Sequence, residues 1–112
     1  MTPVLDAIFG SRSAAQTLAF LQNYGEGHAR RIATTFGVAH MAIQRQLRRL
    51  EAGGILVSRP VGNTRVFTWN PRSATARDLR AFLELELERL PADETRQYFR
   101  QRQRPRHSGK AS

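Results

Sequence analysis

The stretch AHMAIQRQLRRLEAGGIL, residues 39–56, decides the fold. Ile43, Leu47 and Leu50 recur at helical spacing, which commits one face of a helix to a core. The opposite face holds Met41, Arg45 and Arg48, with Gln44 at its flank and His40 near the start. Arg49 lies to one side, where it meets solvent or acids. Gly53-Gly54 stops the run.

Upstream, a helix is expected from about Ala29 to Phe36, with Ile32, Ala33 and Phe36 turned inward. Gly37 suits a left-handed C-terminal position. Two helices joined by so tight a turn form a helix-turn-helix unit. Ala33 is small where the helices cross, and Val38 fills the space between them. Earlier still, Thr2 and Pro3 open a short helix through Leu5, Ile8 and Phe9, closed by Gly10. Ser11 or Ser13 caps the next helix, which carries Ala14, Leu18 and Leu21 on one face and ends at Asn23-Tyr24-Gly25. GEGH, residues 25–28, reads as a loop with at most a short extended piece.

Downstream, ILVSRP (55–60) and RVFTWN (65–70) are two short β-rich runs separated by VGNT. Gly62-Asn63 is expected to supply the positive-φ residues of a tight hairpin. A helix-turn-helix followed at once by a hairpin has the order of a winged helix. Pro71 breaks the second strand. A long helix is expected from about Thr75 to Leu90, stopped by Pro91, and Asp93 is placed to cap a last short helix carrying Tyr98 and Phe99. Residues 101–112, QRQRPRHSGKAS, read as a disordered basic tail. The expected organisation is a winged helix-turn-helix over 1–72, C-terminal helices over 73–100 and the tail. The fold class is α+β, mainly α, with a two-stranded β-hairpin wing and a long C-terminal dimerisation helix.

The 112 residues suit one domain with one modest core. With no cysteine, disulfides and thiolate metal sites are excluded. MTPVLDAIFG lacks a signal-peptide pattern, and no apolar run approaches the roughly 20 residues that span a bilayer. A cytoplasmic, nucleoid-associated protein without membrane contact is expected. His28, His40 and His107 show no metal-ligand spacing. No Ser-His-Asp set, catalytic carboxylate pair or phosphate loop stands out. No enzyme activity, metal or cofactor is therefore expected.

The formal charge is +9, and 17 of the 18 basic residues are arginine. Its placement says more than its size. Residues 28–72 carry eight arginines and the single acid Glu51, whereas residues 73–94 carry three arginines and six acids. A basic middle beside an acidic helix has the form of an electrostatic footprint for a polyanion.

In a helix-turn-helix the second helix enters the major groove and its first residues reach base edges. Arg45 can pair bidentately with guanine and Gln44 with adenine, and Met41 can touch a thymine methyl. His40 and Arg48 share that face. Arg30 and Arg31 open the preceding helix and can grip phosphates. Arg59, Asn63 and Arg65 belong to the hairpin, where a wing meets the backbone or minor groove. The ordinary reading is a solvated charged face; arrangement as turn, helix and wing favours double-stranded DNA. Two other readings use the same face: a protein-interaction module, for example for a nucleotidyltransferase, and an RNA-binding protein.

These residues carry a resemblance. FGSRSAAQTLAFL, IATTFGV, AIQRQLRRLEAGGILVSR, VGNTRVFTWNP and the closing helix resemble the winged helix-turn-helix of ArsR-like regulators. The FGSR start and the GN-R-aromatic-x-x-NP wing are most similar to a small branch associated with minimal nucleotidyltransferases. The resemblance spans about 80 residues, from Phe9 onward, and implies that positions 40, 41, 44, 45 and 48 read DNA and that 59–65 form the wing. It also implies a transcriptional regulator, with repression the simpler mechanism for so small a chain. Ala39 departs from the pattern, which places Ser or Thr as the cap of the recognition helix. Metal-sensing relatives use Cys clusters or Asp/His pairs on the terminal helix, and neither is present.

The terminal helix is apolar over too wide an arc for one buried stripe. Leu79, Leu83, Leu87 and Leu90 form one side, and Phe82 and Leu85 the adjoining side. The surplus suggests a homodimer through Leu79, Phe82 and Leu85, joined by Leu5, Ile8 and Phe9 of the first helix. Glu86 falls within the arc; a solvated edge is the simpler reading, with an Arg89 partner as the alternative.

Overall fold

A helix buried on almost every side organises the molecule. The computed structural model describes residues 3–99. Its elements are α1 (Pro3–Phe9), α2 (Arg12–Tyr24), β1 (Glu26–Gly27), α3 (Ala29–Phe36), α4 (His40–Ala52), β2 (Leu56–Val61), β3 (Thr64–Trp69), α5 (Ala74–Glu88) and α6 (Ala92–Tyr98). The expected disordered tail lies outside the described residues.

Ser11 caps α2 by accepting from the Ala14 amide at 3.1 Å, and every residue from Ala14 to Leu21 is buried. The expected stripe of Ala14, Leu18 and Leu21 is thus only part of its contact surface. Small residues at 14, 15 and 19 let neighbours approach from several directions, and α1, α3, α4, α5 and β1 all pack on this helix. Phe20, Ile32, Ile43, Leu47, Leu56, Phe67 and Leu83 join it in one core. Burying such side chains is worth about 1.5–3 kcal/mol each relative to exposure.

The helix-turn-helix forms as its sequence dictates. Gly37 takes the left-handed position after α3, with φ +67°. The Val38 amide donates to the Ala33 carbonyl at 3.0 Å and the Gly37 amide to Thr34 at 3.3 Å, the paired bonds of a Schellman turn. These bonds hold Val38 at the junction, packed against the core. The α4 side chains Ile43, Leu47 and Leu50 are buried as the spacing requires.

The wing differs from expectation in two ways. Only Gly62 has positive φ (+62°); Asn63 does not. A lone positive φ at the first central position belongs to a type II′ hairpin, so Asn63 need not adopt a left-handed conformation. The sheet also has three strands, in the order β1-β3-β2, with Glu26 opposite Thr68 and Gly27 opposite Phe67. The short extended piece allowed for in GEGH is this strand, but two residues offer no periodicity from which its pairing with β3 could be read. The Trp69 indole donates to the Leu21 carbonyl at 3.1 Å, fixing β3 to the central helix.

Asn70 then clips the wing to both neighbouring helices. Its amide nitrogen donates to the Gly54 carbonyl at 2.8 Å, and its side-chain oxygen accepts from the Arg72 amide at 3.0 Å. Ser73 caps α5 through the Ala76 amide. Leu83, Leu87 and Leu90 are buried, Leu79 and Phe82 are half-buried against the core, and Leu85 is exposed. Glu86 is not at a solvated edge: its side chain is 12% exposed and pairs with Arg89. Asp93 does not cap α6 but sits in its first turn, where its charge suits the helix dipole; the N-cap is Pro91. Phe99 is buried with Ala19, Leu87 and Leu90, and the Tyr24 hydroxyl donates to the Tyr98 carbonyl at 2.8 Å. Leu5, expected at a subunit interface, is 1% exposed and belongs to the chain's own core. Among the described residues, no helix is long and apolar enough to cross a membrane.

Gly27 marks the tightest approach between sheet and α2. A Cβ there would sit 2.6 Å from Phe20 Cε1, a ring atom with no room to withdraw. Urea unfolding should show Gly27→Ala less stable by about 1–3 kcal/mol, an overpacking effect. Gly53→Ala, whose Cβ would meet nothing closer than 3.6 Å, should stay within about 0.5 kcal/mol of wild type.

Candidate nucleic-acid interface

Three elements enclose a groove of about 720 Å³. Its floor is the exposed face of α4, with His40, Met41, Gln44, Arg45 and Arg48. One wall is the start of α3, with His28, Ala29 and Arg30; the other is the hairpin tip, with Asn63, Thr64 and Arg65. No carboxylate lines it. The floor residues recur every three or four positions, so one helical face presents them together. Met41 is 67% exposed, an apolar side chain held in the open. Among the described residues, the guanidinium groups of Arg30, Arg45 and Arg48 have no hydrogen-bond or ion-pair partner within the chain.

Eight of the ten residues expected to contact DNA line this groove: Arg30, His40, Met41, Gln44, Arg45, Arg48, Asn63 and Arg65. The other two do not. Arg31, about 100° further round α3 than Arg30, is turned away from the groove toward α2. Arg31 instead lies over the rings of Tyr24 and Phe20, 4.9 and 5.2 Å from their centroids. Arg59 is excluded by strand alternation. Pro60 is registered opposite Arg65 and shares its face, so the preceding residue points to the other side of the sheet. There Arg59 pairs with Glu26 at 3.1 Å. Arg49, beside the groove, donates twice to the Gln46 side-chain oxygen, at 3.1 and 2.9 Å.

His28, Ala29 and Thr64 complete the lining and were not among the ten residues expected to contact DNA. His28 caps α3: its Nδ1 accepts from the Arg31 amide at 3.2 Å, which leaves Nε2 as the ring's donor. Histidine is an unusual cap, so composition gave no signal for it. Thr64 follows the turn, and only the hairpin geometry brings it to the wall. Among the described residues, no three His, Cys, Asp or Glu side chains cluster to hold a metal ion.

No family model matches the chain, and no curated protein matches it. Solved structures do. One is the homodimeric winged helix-turn-helix DNA-binding domain of Mb0332 from Mycobacterium bovis, described as a possible ArsR-family transcriptional regulator. It is 18% identical, with a TM-score of 0.53 over 75% of each chain. Reduced AbfR bound to DNA is also 18% identical, with a TM-score of 0.56 over 88% of this chain and 72% of that one. An apo variant of ZitR from Lactococcus lactis is 12% identical, with a TM-score of 0.52 over 84% and 80%. The fold is that of a winged helix-turn-helix.

Within it, α4 starts unsupported. Ala39 has extended backbone, φ −66° and ψ 133°, and offers no side-chain cap. That backbone suits serine. Ala39→Ser should raise stability by about 0.5–1 kcal/mol, read as a higher Tm together with slower amide exchange in the first turn of α4.

Proposed function

We propose that this protein is a sequence-specific, double-stranded DNA-binding transcriptional regulator that acts as a homodimer. The observation that carries this reading is the groove itself: free of acids and lined by four arginines, three of them without partners among the described residues. Arginine side chains that are paired internally have spent their hydrogen bonds; these have not. The floor also mixes hydrogen-bonding and apolar side chains, as base-edge recognition requires. In this reading α4 lies in the major groove, Gln44 and Arg45 pair with bases, and Met41 packs on a thymine methyl. Arg30 and Arg48 neutralise phosphates. Arg65 and the wing tip meet the backbone or minor groove. The likeness to AbfR, which is described as bound to DNA, supports the reading.

Dimerisation falls to the outer sides of α1 and α5, which both pack on α2. Val4, Ile8 and Leu85 are 53%, 56% and 53% exposed, with Phe9, Leu79 and Phe82 half-buried. The homodimeric description of the Mb0332 domain supports this arrangement. A twofold pair of α4 helices would address a palindrome with half-sites roughly 34 Å apart. Repression follows from occupancy, since a bound dimer obstructs polymerase. Such a regulator is not an enzyme and works in the cytoplasm, on the nucleoid. The FGSR start and the Asn70-Pro71 wing end support membership of the ArsR-like branch associated with minimal nucleotidyltransferases.

The test is a fluorescence-anisotropy titration at about 150 mM salt, which weakens nonspecific phosphate binding. A duplex selected from a random library is compared with random duplex. Wild type should prefer the selected site. Gln44→Ala with Arg45→Ala should lose that preference, at about 1–3 kcal/mol per lost bidentate contact. Arg30→Ala should instead weaken both duplexes alike and reduce the salt slope by about one. Wild type without a preference would overturn sequence-specific binding.

The subunit contact has its own test. Ile8→Asp and Leu85→Asp place charge on exposed positions and should sediment as folded monomers, with a Tm that is lower and no longer depends on protein concentration. Sedimentation identical to wild type would rule out the α1–α5 interface.

A further inference from the structure

Glu51 is oddly placed. It is the sole acid between residues 28 and 72, and it stands in the last turn of α4, where the helix dipole disfavours a negative charge. The structure gives it a task. The Ser58 hydroxyl, on β2, donates to Glu51 Oε2 at 2.5 Å. The Ser58 Oγ in turn accepts from Arg65 Nη1, on β3, at 3.1 Å. A hydroxyl has one proton to give. With that proton committed to the carboxylate, the lone pairs of Ser58 are left for a donor, and Arg65 is a pure donor. The three groups run from the end of the floor helix, through the hairpin, to the groove wall.

We propose that Glu51 and Ser58 are positioning residues that set Arg65 for DNA, an inference that rests on the DNA-binding reading above. A free arginine side chain gives up rotamer freedom when a phosphate immobilises it. Here part of that ordering precedes binding. The bond through serine also differs from a direct ion pair. It occupies one of five guanidinium N–H groups and leaves the rest for a phosphate. Arg59, on the opposite face of the same hairpin, shows the alternative, a direct pair with Glu26.

The experiment uses the full chain and the selected duplex. Arg65→Ala should weaken binding and reduce the salt slope by about one. Ser58→Ala should weaken it about three- to tenfold, the range for a lost neutral hydrogen bond, and Ser58→Thr should restore it. In the Arg65→Ala background, Ser58→Ala should change nothing. Glu51→Ala separates the relay from simple charge: removing an acid from a basic face predicts tighter binding, whereas the relay predicts weaker. The order parameter of the Arg65 side-chain Nε–H, measured by 15N relaxation without DNA, should fall in Ser58→Ala. The proposal is overturned if Ser58→Ala binds as wild type, or if its effect persists without Arg65, which would make the serine a mere staple between β2 and α4. It is also overturned if Glu51→Ala binds more tightly or Arg65 is equally mobile in Ser58→Ala. Absence of duplex binding by wild type would reject the regulator reading itself, a result distinct from each of these.

Discussion

Everything in this fold depends on the burial of α2. A helix with one apolar stripe can be covered by one neighbour, but residues 14–21 are buried all round, so five elements must meet on it. That requirement fixes the relation between α4 and the wing. Leu47 and Leu56 are drawn into the same core as Leu18, and the Trp69 indole is bonded to the α2 backbone. The groove between α4 and the hairpin therefore has walls anchored to a common centre. Its shape is a property of the core, not of the loops that border it.

The same packing sorts charge. Carboxylates near the basic surface are tied up by partners: Glu26 lies on the far face of the sheet with Arg59, and Glu51, in the last turn of α4, accepts from the Ser58 hydroxyl. Glu84 and Glu86 sit on α5, with Gln22 and Arg89 as partners. Field strength in a concave site rises when only one sign of charge faces it. The strand register matters to that as well as the net charge, since a one-residue slip of β3 would turn Arg65 away from the groove face.

Much of this was legible in the residues. The helix-turn-helix could be read because Ile43, Leu47 and Leu50 repeat with the helical period and Gly37 punctuates the turn. The wing could be read because Gly62-Asn63 separates two β-rich runs. What escaped lacked periodicity or depended on distant partners. β1 is too short to carry a pattern. Arg31 and Arg59 needed the helix angle and the strand register before their direction could be assigned. Leu5 looked free only because α1 is short and its coverage comes from elements later in the chain. His28 caps with a ring nitrogen, and the bond from Asn70 to the Gly54 carbonyl joins residues too far apart in sequence to be read from a local motif.

Counting arginines thus misjudges a basic surface, because each one can be spent in several ways. Arg49 is held by Gln46, Arg59 by Glu26, Arg80 by Gln22 and the Trp69 ring, and Arg31 by two aromatic rings. Such side chains cover apolar surface or satisfy polar neighbours; their charge remains, but each is oriented by a contact within the chain. Arg30, Arg45 and Arg48 have neither kind of partner among the described residues, and all three converge on one groove. A solvated helix face explains unpaired arginines one at a time. It does not explain why unpaired arginines, an exposed methionine and a wing arginine on a serine tether should share one acid-free cleft. That coincidence, rather than the formal charge of +9, is what separates an interface from a merely soluble surface.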